Sequence, residues 1–284
     1  MTANLTPVHQ GALAVAAGAL MFSCMGAGIK ALSGELPFEV VIFFRNLLAL
    51  IAFIPLMVRH QVTLATDRPL LHLFRCVCGL GAMYCFFYAI NVIPLAEAVL
   101  FNFMTPIFLP VIAWMWLKEP VSRSTLVAIM IGFVGVIVIL RPGLAGMDYS
   151  VDYLIALFSG FFAAVAMVSI RKLSTTEPML RIVFYFSLLG TLVTAIPLFW
   201  AWQTPTLEQL FVLVAIGLFA TGGQLAITKG YSMAPAAQIG PLSYLSIVFS
   251  GLFGWLLWGE NITAAFVVGA LLVFGASVMA LRSS

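Results

Sequence analysis

Residues 81–120 read GAMYCFFYAINVIPLAEAVLFNFMTPIFLPVIAWMWLKEP, and residues 222–261 read GGQLAITKGYSMAPAAQIGPLSYLSIVFSGLFGWLLWGEN. Laid over one another without a gap, at an offset of 141, they bring Pro94 onto Pro235, Ala96 onto Ala237 and Glu97 onto Gln238. Trp114 then falls on Trp255 and Glu119 on Glu260. An earlier stretch repeats at an offset of 142, with Lys30 on Lys172 and Pro55 on Pro197. Single identities carry little in so biased a composition. Two nearly equal offsets that cover most of each half divide the chain into two related units, residues 1–145 and 146–284.

The composition sets the solvent of those units. Hydrophobic residues make up 63% of the 284 residues and charged residues 8%, against roughly 45–50% and about 25% in soluble proteins. A soluble domain of this length has too little interior to hide so many apolar side chains, so the surroundings are lipid. Breaks at charge, Pro and Gly clusters leave ten apolar runs: 11–32, 38–58, 69–90, 95–116, 123–140, 152–171, 180–201, 207–228, 235–257 and 262–281. Each is near the 20 or so residues that a membrane helix needs. Strand-period alternation is absent, so helices are the expected spanning form. No cleavable leader is expected: the first nine residues hold no Lys or Arg, and the first run is too long for one.

Five spans per unit is an odd number. The second unit therefore enters the membrane from the opposite face, which predicts an inverted repeat about an axis in the membrane plane. With a cytoplasmic N-terminus, ten of the 13 basic residues fall on the cytoplasmic side, among them Arg59, Lys118, Arg171, Lys172 and Arg282. Lys30 and Arg141 fall outside, and Arg45 lies within span 2. That bias places both termini in the cytoplasm. A net charge of +3 spread this way is no nucleic-acid signal.

The stretch LFRCVCGLGAMYCFFYAINVIPLAEAVLFNFMTPIFLPVIAWMWLKEPV, residues 73–121, carries several marks in series. They are an Arg early in span 3, Phe-Tyr-Ala near its end, Pro-Leu-Ala-acid-Ala, a mid-helix Pro and a terminal Gly-Glu-like pair. It resembles the span 3–4 signature of the EamA family of the drug/metabolite transporter superfamily. Lys118-Glu119 stands where Gly-Glu is usual, while the second half has Gly259-Glu260. The resemblance implies a ten-helix carrier of small metabolites in a bacterial inner membrane. It further implies a central cavity lined mainly by spans 1, 3, 4, 6, 8 and 9.

Polar residues inside spans name the candidate site. On a helical wheel Phe101 and Thr105 fall within a quarter turn of Glu97, and Asn102 lies further round on the same side. Gln238, Ser243 and Ser246 hold the corresponding arc of span 9, next to Tyr244. A charge at mid-bilayer costs roughly 3 kcal/mol, so such an arc faces a cavity or a partner. Pro106 and Pro241 cannot donate to the carbonyls of Asn102 and Ala237, which opens backbone to the same arc. Glu97 reads as a cation-binding or proton-carrying carboxylate, or as a charge that satisfies free amides at a helix start. Arg45 reads as a clamp on an anionic group, but an ion pair with Glu97 or Glu39, or snorkelling, is favoured. Arg75 reads as snorkelling or as a cytoplasmic gate. Tyr84 and Tyr88, four apart, offer a stacking surface, and Gln224 lines the cavity or bonds a neighbouring helix.

Several functions drop out. No G-x-x-x-x-G-K-[ST] is present, so ATP does not drive the protein. His9, His60 and His72 form no H-E-x-x-H, and G-x-S-x-G is missing, which argues against an enzyme. Cys24, Cys76, Cys78 and Cys85 sit in apolar runs with no metal spacing, and no metal or cofactor is expected. The expected function is a secondary transporter of an amino acid, amine or heterocycle. Proton coupling, an uncoupled facilitator or channel, and monomer against homodimer stay open.

Overall fold

The computed structural model describes residues 6–93, 95–140 and 151–282. Pro94, Arg141 and the junction between the two units fall outside them. Every regular element among the described residues is helical. In chain order they are α1 (Pro7–Ala31), α2 (Phe38–Arg59), α3 (Pro69–Val92), α4 (Leu95–Asn102), α5 (Thr105–Leu117), α6 (Arg123–Leu140) and α7 (Val151–Leu173). They continue as α8 (Met179–Ala195), α9 (Leu198–Ala201), α10 (Leu207–Met233) and α11 (Ala236–Ile239). After a 3₁₀ turn (Gly240–Tyr244) come α12 (Leu245–Trp258) and α13 (Ala264–Leu281).

Nine stretches among the described residues are long and apolar enough to cross a membrane. At 1.5 Å per residue the 25 residues of α1 reach about 37 Å, beyond a hydrocarbon core of about 30 Å. Span 7 differs from expectation. It is α8, 17 residues long, and the chain turns once more as α9 after Pro197. Pro197 lacks the amide that would continue α8. Its repeat mate Pro55 sits near the end of α2 and is absorbed there without a break.

Local chemistry explains the joints. Thr6 caps α1 by accepting the His9 amide, and Thr206 with Gln209 forms a capping box on α10. Lys118 and Gly259, which coincide in the repeat, both end their helices in the left-handed conformation, at φ 58° and 66°. Glycine adopts that backbone freely, whereas a side chain there costs about 1 kcal/mol. The shape at this joint is thus kept although the residue is not.

The helices pair in a pattern. α1 lies along α10 and α3 lies along α7; α6 lies along α13 and α2 along α8. The α6–α13 contact is close enough that a Cβ on Gly135 would sit 2.8 Å from the Gly269 carbonyl oxygen. Cys76 and Cys78 are free thiols buried in different apolar clusters on α3, as their spacing requires.

Candidate functional site

The helix break expected at Pro106 is present. α4 stops at Asn102 and α5 begins at Thr105 with Pro106 in its first turn, where a missing amide costs nothing. The carbonyl of Asn102 does not stay open, because the Thr105 hydroxyl donates to it at 2.7 Å. Gly160 on α7 permits this approach: a Cβ there would meet the Phe101 carbonyl oxygen at 2.5 Å. In the second half serines bond nearby carbonyls, though not the Ala237 carbonyl that Pro241 leaves. Ser243 donates to the Gly240 carbonyl at 2.7 Å and Ser246 to the Ser243 carbonyl at 2.8 Å.

Glu97 is buried at 2% exposure. The Tyr153 hydroxyl on α7 donates to its Oε2 at 2.6 Å, and Phe101 packs edge-on to the same ring. Gln238 and Tyr244 are buried, and neither Gln238 Nε2 nor the Tyr244 hydroxyl has a hydrogen-bond partner among the described residues. Tyr84 and Tyr88 border a crevice of about 210 Å³ with Phe38 and Thr194, and Tyr88 donates to Asp152 at 2.8 Å.

The main cavity lies elsewhere, between the first and second halves. It measures about 600 Å³ and is walled by α1, α2, α3, α7, α8 and α10. Of the predicted residues, Arg45, Arg75 and Gln224 line it. Glu97, Phe101, Asn102, Thr105, Gln238, Ser243, Tyr244 and Ser246 are not on its wall. The physical reason is the local bonding just described. The polar arcs of spans 4 and 9 satisfy their own backbone and pack against α7 and α1. Spans 2 and 7 take their place in the wall.

The arginines differ from the favoured sequence reading. Among the described residues Arg45 has no ion pair with Glu39 or Glu97. Its Nη1 donates to Asn46 Oδ1 at 3.1 Å, and its Nε faces the Met25 sulfur at 3.3 Å. Arg75 is 2% exposed, too buried to snorkel, and its guanidinium lies 4.0 Å over the Phe186 ring. Phe186, Phe86, Phe87 and Met83 belong to the wall and were missed by sequence reasoning. Gly79, one turn after Arg75, clears the space where guanidinium and ring meet: a Cβ there would lie 2.8 Å from Phe186.

The two ends of the bundle are tied differently. Where α1 finishes, Lys30 pairs with Glu260, both about half exposed. At the other end Arg171 Nε meets Glu119 Oε1 at 2.8 Å, and Arg171 Nη1 donates to the Ser232 carbonyl at 3.0 Å. The second Glu119 oxygen accepts the Ala236 amide at 3.2 Å, which fixes the start of α11. Beside this pair, Glu177 accepts from Thr66 at 2.5 Å and from Arg181 at 2.6 Å.

Tyr244 provides a direct test of the placement. A buried hydroxyl without a partner costs about 1–3 kcal/mol, so Tyr244→Phe is expected to stabilise the protein by about 1 kcal/mol. It is expected to leave transport unchanged, since the ring packs on Gly132 and Phe103 rather than into the cavity. Thermal denaturation in detergent beside a transport assay reads both. Lost transport without lost stability would put Tyr244 back at the site.

Among the described residues the protein is a multi-pass helical bundle with a cavity walled by both halves, a build that suits a membrane transporter. The EamA-like transporter family model matches the chain twice, over residues 9–141 and 151–282. The chain belongs to the EamA family, within the drug/metabolite transporters. The pseudopaline exporter of Pseudomonas aeruginosa is 34% identical over 278 residues, covering 97% of each chain. The S-adenosylmethionine uptake transporter of Rickettsia bellii is 26% identical, over 87% of this chain and 84% of its own. One protein of known crystal structure shares the fold at a TM-score of 0.83 and 19% identity, over 95% of this chain and 96% of its own.

Proposed function

We propose that this protein is a secondary transporter that carries a small organic metabolite across the bacterial inner membrane by alternating access. Its ten spans form two inverted five-helix repeats, with both termini in the cytoplasm. The observation that carries the proposal is the pair of ion pairs at opposite ends. Glu260 is the repeat mate of Glu119, and Arg171 adjoins the mate of Lys30. Each repeat thus supplies the same kind of latch, one per face. The cytoplasmic latch is bonded on both partners and half-buried, while the outer one is a single exposed pair. A closed cytoplasmic end beside a cavity that reaches Lys30 and Ser33 is one of two interchangeable states.

The helix pairing supports the repeat. α1 against α10 and α7 against α3 are mates under it, and α2–α8 and α6–α13 are each self-mated. Glu97, buried and held by one phenol donor, is the proposed coupling site for protons. Because it turns to Tyr153, the amine class loses the reason the sequence offered for it.

The test uses proteoliposomes with an imposed pH gradient and a pooled set of labelled metabolites. Saturable uptake that scales with the gradient is expected, with Glu97→Gln abolishing the scaling but keeping solute exchange. Non-saturating flux would replace the carrier by a channel. An unaltered gradient response in Glu97→Gln would remove it from coupling.

A further inference from the structure

Among the described residues the cavity wall carries Lys30, Arg45 and Arg75 and not one carboxylate. Lys30, at the rim, has its partner in Glu260. The two arginines have none among the described residues, and their guanidinium groups keep their charge. Arg75 is the sharper case. It is 2% exposed, and its Nε and Nη1 donate to nothing. The Phe186 face offers the cation an attraction but no hydrogen-bond acceptor. Arg45 donates to one amide oxygen, of Asn46, and to two thioether sulfurs, of Met25 and Met83, which are weak acceptors. Buried charges without partners cost several kcal/mol each. Arg75 is such a charge, and the half-buried Arg45 beside it has no carboxylate partner among the described residues, so together they form a site waiting for its counter-charge. Gln224 adds a third vacancy of opposite kind: its Oε1 is buried and accepts from nothing.

Resting on the carrier reading of this cavity, we infer that the transported solute is an organic dianion with an apolar or aromatic body. Two guanidinium forks match two carboxylate groups. A solute with one negative charge leaves one of the two arginines uncompensated, and an amine adds a third cation. Phe38, Phe86, Phe87 and Met25 supply the apolar remainder of the wall. The cavity volume of about 600 Å³ suits a metabolite of that build.

The experiment measures binding to the full-length protein in lipid nanodiscs by calorimetry, with four probes of one shape. They are phenylsuccinate, phenylacetate, 2-phenylethanol and phenethylamine, with two, one and no negative charges and one positive charge. Phenylsuccinate is expected to bind at least tenfold tighter than phenylacetate, and phenethylamine not measurably. Arg45→Gln and Arg75→Gln are each expected to erase that tenfold preference, and Arg75→Lys to restore part of it. Binding of the amine or the alcohol as tight as that of phenylsuccinate overturns the inference, and this reading needs no variant to fold. So does a preference that survives both Gln substitutions, or failure of both anions to bind at millimolar concentration.

Counterflow of labelled phenylsuccinate in proteoliposomes separates the two readings. Binding without flux keeps the dianion site and overturns the carrier. Saturable flux of phenethylamine that ignores both arginine substitutions keeps the carrier and overturns the dianion.

Discussion

Glu177→Ala is expected to destabilise the protein by about 3 kcal/mol, the cost of stripping one partner from a buried ion pair. Glu177 lies between α7 and α8 with its side chain 2% exposed. It receives Thr66 at 2.5 Å and Arg181 at 2.6 Å, with His72 Nε2 at 3.9 Å. Removing the carboxylate strands Arg181, which also holds the Thr63 carbonyl and hydroxyl, each at 2.8 Å. The loop between α2 and α3 then loses its Thr66 tie to the second half, while the Thr63 and Leu64 ties to Arg181 and Tyr185 remain. The pH dependence follows. Burial works to raise the Glu177 carboxyl. The bonds from Thr66 and Arg181 and the charges of Arg181 and His72 outweigh it, leaving it below the ordinary carboxylate range. A depressed folded value means stability that is fully present above the unfolded pKa, about 4.3, and lost as pH falls through the lower folded one. Glu177→Gln should therefore flatten the acid limb of the stability profile and leave its neutral part parallel to wild type. Chemical unfolding in detergent micelles across pH checks both, and an unshifted midpoint for Glu177→Ala would refute the latch.

Much of the architecture was legible because its causes are local. Proline removes an amide wherever it stands, so the α4–α5 break could be placed at Pro106 from sequence. Apolar runs of span length marked the helices for the same reason. The wall of the cavity was less legible. A helical wheel shows that Glu97, Phe101 and Thr105 share an arc. It does not show whether that arc meets a void or another helix, and here it meets Tyr153 and Gly160 of α7. Thr can also consume a freed carbonyl within its own turn, as Thr105 does at Asn102. Arg75 looked like a snorkelling residue two turns from an interface. What holds it inside comes from elsewhere in the chain: Phe186 lies more than a hundred residues away, and only the fold brings it under the guanidinium.

Glu119→Gln is expected to shift the balance between cavity states roughly tenfold to a hundredfold toward opening at the cytoplasmic end. Two contacts depend on its charge. One is the 2.8 Å pair with Arg171, and the other is the Ala236 amide at 3.2 Å. Hydrogen bonds to charged groups contribute about 1.5–3 kcal/mol, and each 1.4 kcal/mol is a factor of ten in population. The side chains are 25% and 15% exposed, so solvent screens the pair only in part. Lys30→Gln at the outer end is expected to shift the balance less than threefold. That pair is about half exposed, and exposed pairs contribute about 0–1 kcal/mol. The contrast matters more than either value, because the two glutamates align in the repeat and the pairs differ chiefly in burial and in the extra bonds. A single cysteine in place of Met167, a wall residue, reports the state once Cys24, Cys76, Cys78 and Cys85 are replaced. In inside-out vesicles an impermeant maleimide should label it at least tenfold faster in Glu119→Gln than in the parent. Lys30→Gln should stay near the parent rate. Equal rates for the two variants would mean that the latches are equivalent. The closed cytoplasmic end would then have to be held by Glu177 and Arg181 rather than by Arg171.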